Sequence, residues 1–243
     1  MVTGKTFIHK FGNAPLFNKA DLFVTIWDGA ESGEVYQSMN IVYSTTADID
    51  YIVAEDDADD QVLEIQGLDV NFNLVVQTKA LSGNTPVALD TALIRVFRMK
   101  NIGSVSLRKH TFCYVSAGTT VTLGIPQDGA KVRAVIHNGN NQTEMALFTI
   151  PAGKTGYMRD WSASTSGAKK DSSHVVKLFA KPFGQVFQLK HKAAIVESGT
   201  SYIKHDYVEP EVFEEKTDIE MQANTDQDGV SIASGFDIVL KDN

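Results

Sequence analysis

Six histidines, a surplus of carboxylates and one thiol are the side chains of this sequence best suited to catalysis or metal binding. His9, His110, His137, His174, His191 and His205 are spread along the chain. A metal site in a β-sheet commonly takes two imidazoles from one strand as His-x-His, because alternate residues share a face. No two of the six are spaced that way, so each reads as a surface or strand residue and no metal is expected. A single thiol, Cys113, cannot form a disulfide within the chain or supply a cysteine-rich zinc site. The sequence carries no Gly-x-Ser-x-Gly elbow, no phosphate loop ending in Gly-Lys-Ser or Gly-Lys-Thr, no His-Glu-x-x-His and no dinucleotide fingerprint. Neither a catalytic residue nor a cofactor is expected.

The carboxylates offer weaker patterns. A glycosidase needs two carboxyl groups at a set separation, and the adjacent pairs Glu214 with Glu215 and Glu55 with Asp56 are poor candidates. Glu55, Asp56, Asp57, Asp59 and Asp60 place five acids in six residues, which reads as a solvated hairpin tip or as hard oxygens for calcium. Asn224, Asp226, Asp228 and Gly229 imitate the start of an EF-hand loop, but the twelfth position is Gly235 where the loop needs Glu, so a β-turn explains them better. Asn141, Gln142 and Thr143 form a glycosylation sequon.

Residues 150–157 read as a tight turn feeding a strand through Arg159, Asp160 and Trp161. Tyr157 and Trp161 are an even number apart and share one sheet face if that strand is regular. They are core there, or, if exposed, an anchor for a partner subunit or a sugar. Lys177 and Lys181 alternate with Val176, Leu178 and Ala180, the pattern of a half-buried antiparallel strand. Tyr157, Arg159, Trp161, Lys177 and Lys181 are the candidate interface residues, and Trp27, Tyr157, Trp161 and Tyr202 are the aromatics available to a glycan. Residues 154–192 hold eight Lys or Arg against two Asp, and residues 193–243 hold three Lys against twelve Asp or Glu. The two segments compensate side by side within one sandwich, or they meet across subunits. The second arrangement is the expectation, and it leads to a closed symmetric oligomer, a trimer.

The elements that position these residues are strands. Runs of four to eight β-favouring residues, broken by Gly, Asn, Asp, Ser and Thr, recur at about fourteen places: 22–27, 39–43, 62–66, 74–78, 93–99, 111–115, 132–137, 145–150, 156–163, 174–180, 185–191, 201–207, 218–223 and 236–240. Residues 209–216 allow one helical turn. The class is therefore all-β, an antiparallel β-sandwich or jelly roll. The weak β signal around Gly124, Pro126 and Gly129 places a boundary between a sandwich over 1–125 and a jelly-roll-like domain over 131–243; the alternative is one large β domain over 1–243. The chain has 243 residues, enough to bury a core without disulfide or metal. It is 43% hydrophobic with a net charge of −8, which opposes non-specific attraction to nucleic acid or an anionic membrane. No apolar stretch has the length of a membrane span or a secretory signal, so a soluble chain is expected.

Two stretches resemble virion structural proteins of tailed bacteriophages, particularly phages of marine bacteria. The first, 63–98, carries Ile65, Gln66, Gly67, Leu68 and Asp69, then Leu81, Ser82, Gly83, Asn84, Thr85, Pro86 and Val87, then Ile94, Arg95 and Val96. The second, 140–218, carries Asn141, Gln142 and Thr143, the 150–157 turn, and Tyr207, Val208, Glu209 and Pro210 through Lys216, Thr217 and Asp218. The resemblance covers about half of the chain in short phrases and brings no catalytic residues. It implies a β-rich capsid decoration or cement protein, made in the bacterial host cytoplasm and carried in the virion, with the major capsid protein or other virion proteins and further copies of itself as partners. A tail or adaptor role with receptor or carbohydrate binding is the alternative it leaves open.

Overall fold

The computed structural model describes residues 5–196 and 201–243. Before the first long irregular stretch lie β1 (Lys5–Phe17) and β2 (Val24–Thr25). There follow β3 (Ile49–Ala54), β4 (Val62–Leu68), β5 (Leu74–Ala80), β6 (Val87–Leu93), β7 (Arg95–Asn101), β8 (Thr111–Tyr114), β9 (Val121–Thr122), β10 (Ile125–Pro126) and β11 (Val132–Ile136). The chain ends with β12 (Leu147–Thr149), β13 (Lys154–Ser166), β14 (Ser173–Lys181), β15 (Gln188–Val196), β16 (Tyr202–Phe213), β17 (Asp218–Thr225) and β18 (Val230–Asp242). Every ladder between these strands is antiparallel, and the only helical elements among the described residues are two three-residue 3-10 turns. The fold is an all-β sandwich architecture, as expected.

The chain divides into two compact units, Met1–Ser32 with Met145–Asn243, and Gly33–Glu144. The division therefore falls elsewhere than the expected 125–131 boundary. The β9–β10 hairpin and β11 belong to the second unit, where β11 pairs with β8. The first unit is discontinuous because β1 is built onto the last strand of the chain, β18, in register from Lys5↔Lys241 to Ala14↔Ile232.

The first unit has two sheets, ordered β1-β18-β13-β16 and β12-β17-β14-β15. If β1 is counted as the first of eight strands and β12 as the second, these orders read 1-8-3-6 and 2-7-4-5, the winding of an eight-stranded jelly roll. Its second strand comes in two pieces. β2 pairs with Gln222 and Ala223 of β17, and β12 continues along Asp218 to Glu220 of the same strand. Gly33–Glu144 is the excursion of the chain between the two pieces. Period-two alternation drives the burial: His174, Val176, Leu178 and Ala180 of β14 point inward, as do Phe236, Ile238 and Leu240 of β18. They close on Met158, Trp161, Ile219 and Met221, all buried.

The second unit has sheets β11-β8-β3-β6 and β5-β4-β7. β6 lies against β5 and β7 against β11, so the two sheets approach each other at both edges. Residues 39–43, expected as a strand, belong to an irregular segment. Buried arginines hold it instead: Arg95 donates to the Ser44 carbonyl (2.6 Å) with the Tyr43 and Phe72 rings at 4.9 and 5.6 Å, and Arg133 reaches the Ser44 hydroxyl (3.5 Å). Cys113 is buried and free, its thiol pushed up to about 12 by burial first and the Asp50 charge second. Residues 209–213 extend β16, and no helical turn forms there.

Candidate functional site

Strand register assembles the richest set of chemical groups on the outer face of the β1-β18-β13-β16 sheet. Because directly opposed residues of an antiparallel ladder share a face, the pairings read as rows across the sheet. One row is Phe7, Val239, Tyr157 and Val212; the next is His9, Asp237, Asp160 and Asp206. A third runs Phe11, Gly235, Ser162 and Lys204, and a fourth Asn13, Ala233, Ser164 and Tyr202. Three aspartates on neighbouring strands thus stand side by side. His9 Nδ1 contacts Asp237 at 2.6 Å, and Lys204 bridges Asp206 (2.7 Å) and Asp160 (3.9 Å). Burial first, then repulsion from Asp237, holds the Asp160 carboxyl above its ordinary value against the pull of Lys204. The three carboxylates lie on one open sheet face and not on facing walls of a cleft, the geometry glycoside hydrolysis requires.

A β-bulge decides which side chains join this face. The register of β13 shifts between Met158 and Asp160, so Arg159 is the extra residue and the alternation changes phase. Tyr157 consequently lies outward, under the Lys241 ammonium at 4.0 Å, while Trp161 lies between the sheets at 1% exposure. The expectation that both share one face fails for this reason. Arg159 is exposed beside the aspartate row. Lys177 and Lys181 lie on the outer face of the other sheet, so the five candidate interface residues occupy three separate places. There Lys177 stands opposite Lys192, with the Phe23 ring 3.2 Å from its ammonium, and Lys181 pairs with Asp218 at 3.5 Å.

The two charged segments meet inside one chain. Lys154 with Asp242, Lys181 with Asp218, Lys190 with Glu211 (3.2 Å) and Asp160 with Lys204 all join the basic segment to the acidic one. This corrects the expectation that the segments wait for another subunit, because β13 lies between β18 and β16 and β14 lies beside β17; Glu197, counted in the acidic segment, lies outside the described residues. The trimer loses that electrostatic basis.

Histidines distant in sequence do meet. His191 and His205 come within 4.3 Å, ring centre to ring centre, against Trp161 at the β15–β16 side of the sandwich interior. His110 meets His137 edge-on at 4.9 Å, and its Nδ1 contacts Glu55 at 3.0 Å. His174 is fully buried between Ser172 (3.1 Å) and Thr225 (2.8 Å). That chain of groups imitates a nucleophile and base, but the Ser172 hydroxyl donates to the Lys169 carbonyl (2.6 Å), and Thr225 holds the other ring nitrogen of the imidazole. The pairings join segments distant in sequence, so spacing gave no signal for them.

The remaining motifs are structural. Glu55 takes Lys109 (3.4 Å) as well as His110, and the buried Asp59 accepts the Arg108 backbone N–H, so the acidic run latches 108–110. Asp226 accepts the Ser173 N–H and Asp228 the Lys19 N–H, so both carboxylates tie their turn to segments distant in sequence. Asn141 of the sequon donates to Ser106 and accepts from Asn101 and Leu107.

No protein-family model matches the chain, and no curated protein matches it. Among solved structures it is similar to a tryptic core variant of Cry1Da from Bacillus thuringiensis, at 12% identity and a TM-score of 0.14, over 97% of this chain and 58% of that one. The match spans less than two thirds of that chain's length, and a likeness of this size carries no argument.

Proposed function

We propose that this chain is a non-enzymatic structural protein of a tailed-phage virion, a decoration or cement protein that bridges coat subunits on the head. The observation that supports it best is an eight-stranded jelly roll, an architecture found in viral capsid domains, whose two outer sheet faces display ordered rows of apolar and charged side chains. Fold alone does not fix function, and the reading also draws on the phrases shared with virion proteins. Its partners are then the major capsid protein or other virion proteins and further copies of this chain, and its place is the virion assembled in the host cytoplasm. Mass spectrometry of purified particles tests this: the chain is expected among the virion proteins, and its absence from them overturns the reading.

Lectins share the jelly roll, which keeps a tail or adaptor role with glycan or receptor binding as the second reading. Trp27 and Trp161 are buried, so of those four aromatics Tyr157 and the half-exposed Tyr202 are left for a glycan. Binding of the isolated protein on a glycan array favours this reading over the first.

A further inference from the structure

Strand register sets a carboxylate and two imidazoles in one row at the end of three neighbouring strands of the second unit. β8 lies between β3 and β11, and the ladders end on the pairs Ala54↔Thr111 and Ile136↔Thr111. One residue beyond these pairs stand Glu55, His110 and His137. The Glu55 N–H donates to the His110 carbonyl at 2.9 Å, so the register of β3 on β8 carries on past the ladder. Directly opposed residues of an antiparallel pair have Cβ atoms about 4.5–5.5 Å apart. The His110 and His137 rings accordingly meet edge-on, 4.9 Å between centres, with a ring nitrogen of one within 4.8 Å of a ring nitrogen of the other. Glu55 stands behind the pair, 3.0 Å from His110 Nδ1. A carboxylate can only accept, so in the neutral imidazole the proton sits on Nδ1 and Nε2 keeps its lone pair. Lys109 shares the carboxylate at 3.4 Å, and the buried Tyr36 ring lies 5.8 Å from the His110 ring on another side.

We infer that His110 and His137 bind a divalent transition-metal ion, zinc first among them, and that Glu55 is the positioning residue that orients His110 for it. Imidazole nitrogen suits zinc, copper and nickel, whereas calcium and magnesium take oxygen ligands. Zinc–nitrogen bonds of about 2.0–2.1 Å set two ligating nitrogens about 3–4 Å apart, a spacing that small side-chain rotations reach from the one observed. A carboxylate behind a ligating histidine fixes its tautomer and ring orientation and raises its basicity, which is the place Glu55 holds. All three residues are half-buried, so the pair is open to an ion from solvent while its backbone is fixed by the sheet. The bound ion ties β8 to β11 where their ladder ends.

The inference goes beyond the structural role proposed above and does not depend on it. Its test is a zinc titration of the full chain, stripped of metal and free of any tag, followed by calorimetry and by the imidazole resonances in NMR. The resonances of His110 and His137 are expected to move on zinc addition, and those of His9 and His174 to stay. His110→Gln and His137→Gln are each expected to lose about 100-fold in zinc affinity. The double variant His191→Gln with His205→Gln, which removes the other close imidazole pair, is expected to bind as the wild type does. Glu55→Gln is expected to bind about 10–100-fold more weakly, yet to show both imidazole resonances moved once zinc saturates it, as loss of a positioning residue requires. A wild type that binds no zinc at about 100 μM overturns the inference. So does a folded His110→Gln or His137→Gln variant with wild-type affinity, or a loss that falls on the His191→Gln and His205→Gln variant instead. Unchanged affinity in folded Glu55→Gln overturns the role given to Glu55. If circular dichroism shows the single variants to be unfolded, the wild-type spectra decide: zinc that moves other imidazoles and leaves His110 and His137 in place overturns the inference.

Discussion

Arg95 shows what a single side chain contributes in this protein. It is buried, it donates to the Ser44 and Ile94 carbonyls, and two aromatic rings flank its guanidinium. Through it β7 holds an irregular segment that has no ladder of its own. Arg95→Leu keeps volume but strands those carbonyls, and a loss of about 2–4 kcal/mol in denaturant unfolding is expected; a loss below about 0.5 kcal/mol would show that the segment is held elsewhere. His191 gives a pH dependence. Burial first, and His205 second, hold it below its ordinary 6.5. Just below that pH the unfolded chain binds more protons than the folded one, so stability is full above about 6.5 and falls as pH drops toward and through the folded value. His191→Gln is expected to flatten that acid limb in melting curves taken between about pH 5 and 8, and superimposable profiles for the two proteins would contradict the assignment.

At the scale of elements, the join of β1 to β18 carries the discontinuous unit. A methyl group on Gly235 would stand 2.4 Å from the Lys10 carbonyl oxygen and 3.2 Å from the Phe11 Cα, both backbone atoms that cannot rotate away. Gly235→Ala is expected to cost about 1–3 kcal/mol and to raise hydrogen exchange in β1 first; unchanged exchange there would show that β1 shifts to accommodate it. What was legible in the sequence follows from range. Local alternation announced β14, and turn residues bounded β4, β5, β8 and β11. β1 was missed because Gly12, Asn13 and Lys10 interrupt its pattern, and its stability comes from a strand more than 200 residues away. The aspartate row was invisible for the same reason. It needs the β1, β13, β16 and β18 registers together, and it needs the bulge at Arg159, which puts Tyr157 and Trp161 on opposite faces where regular alternation put them on one.

For the whole molecule, the recurring short β runs announced an all-β chain, but the excursion inside the second jelly-roll strand left no mark in the sequence pattern. A boundary read from Gly and Pro found a hairpin within the second unit, because turns inside a β domain use the same residues as linkers do. Charge was misread for a related reason: sequence neighbours of opposite sign became spatial neighbours. The most direct test is a three-dimensional reconstruction of the purified particle. Density fitting the jelly roll, repeated over the seams between coat subunits on the head, is the predicted result. A head surface without it, or the same density confined to the tail, would contradict the decoration role.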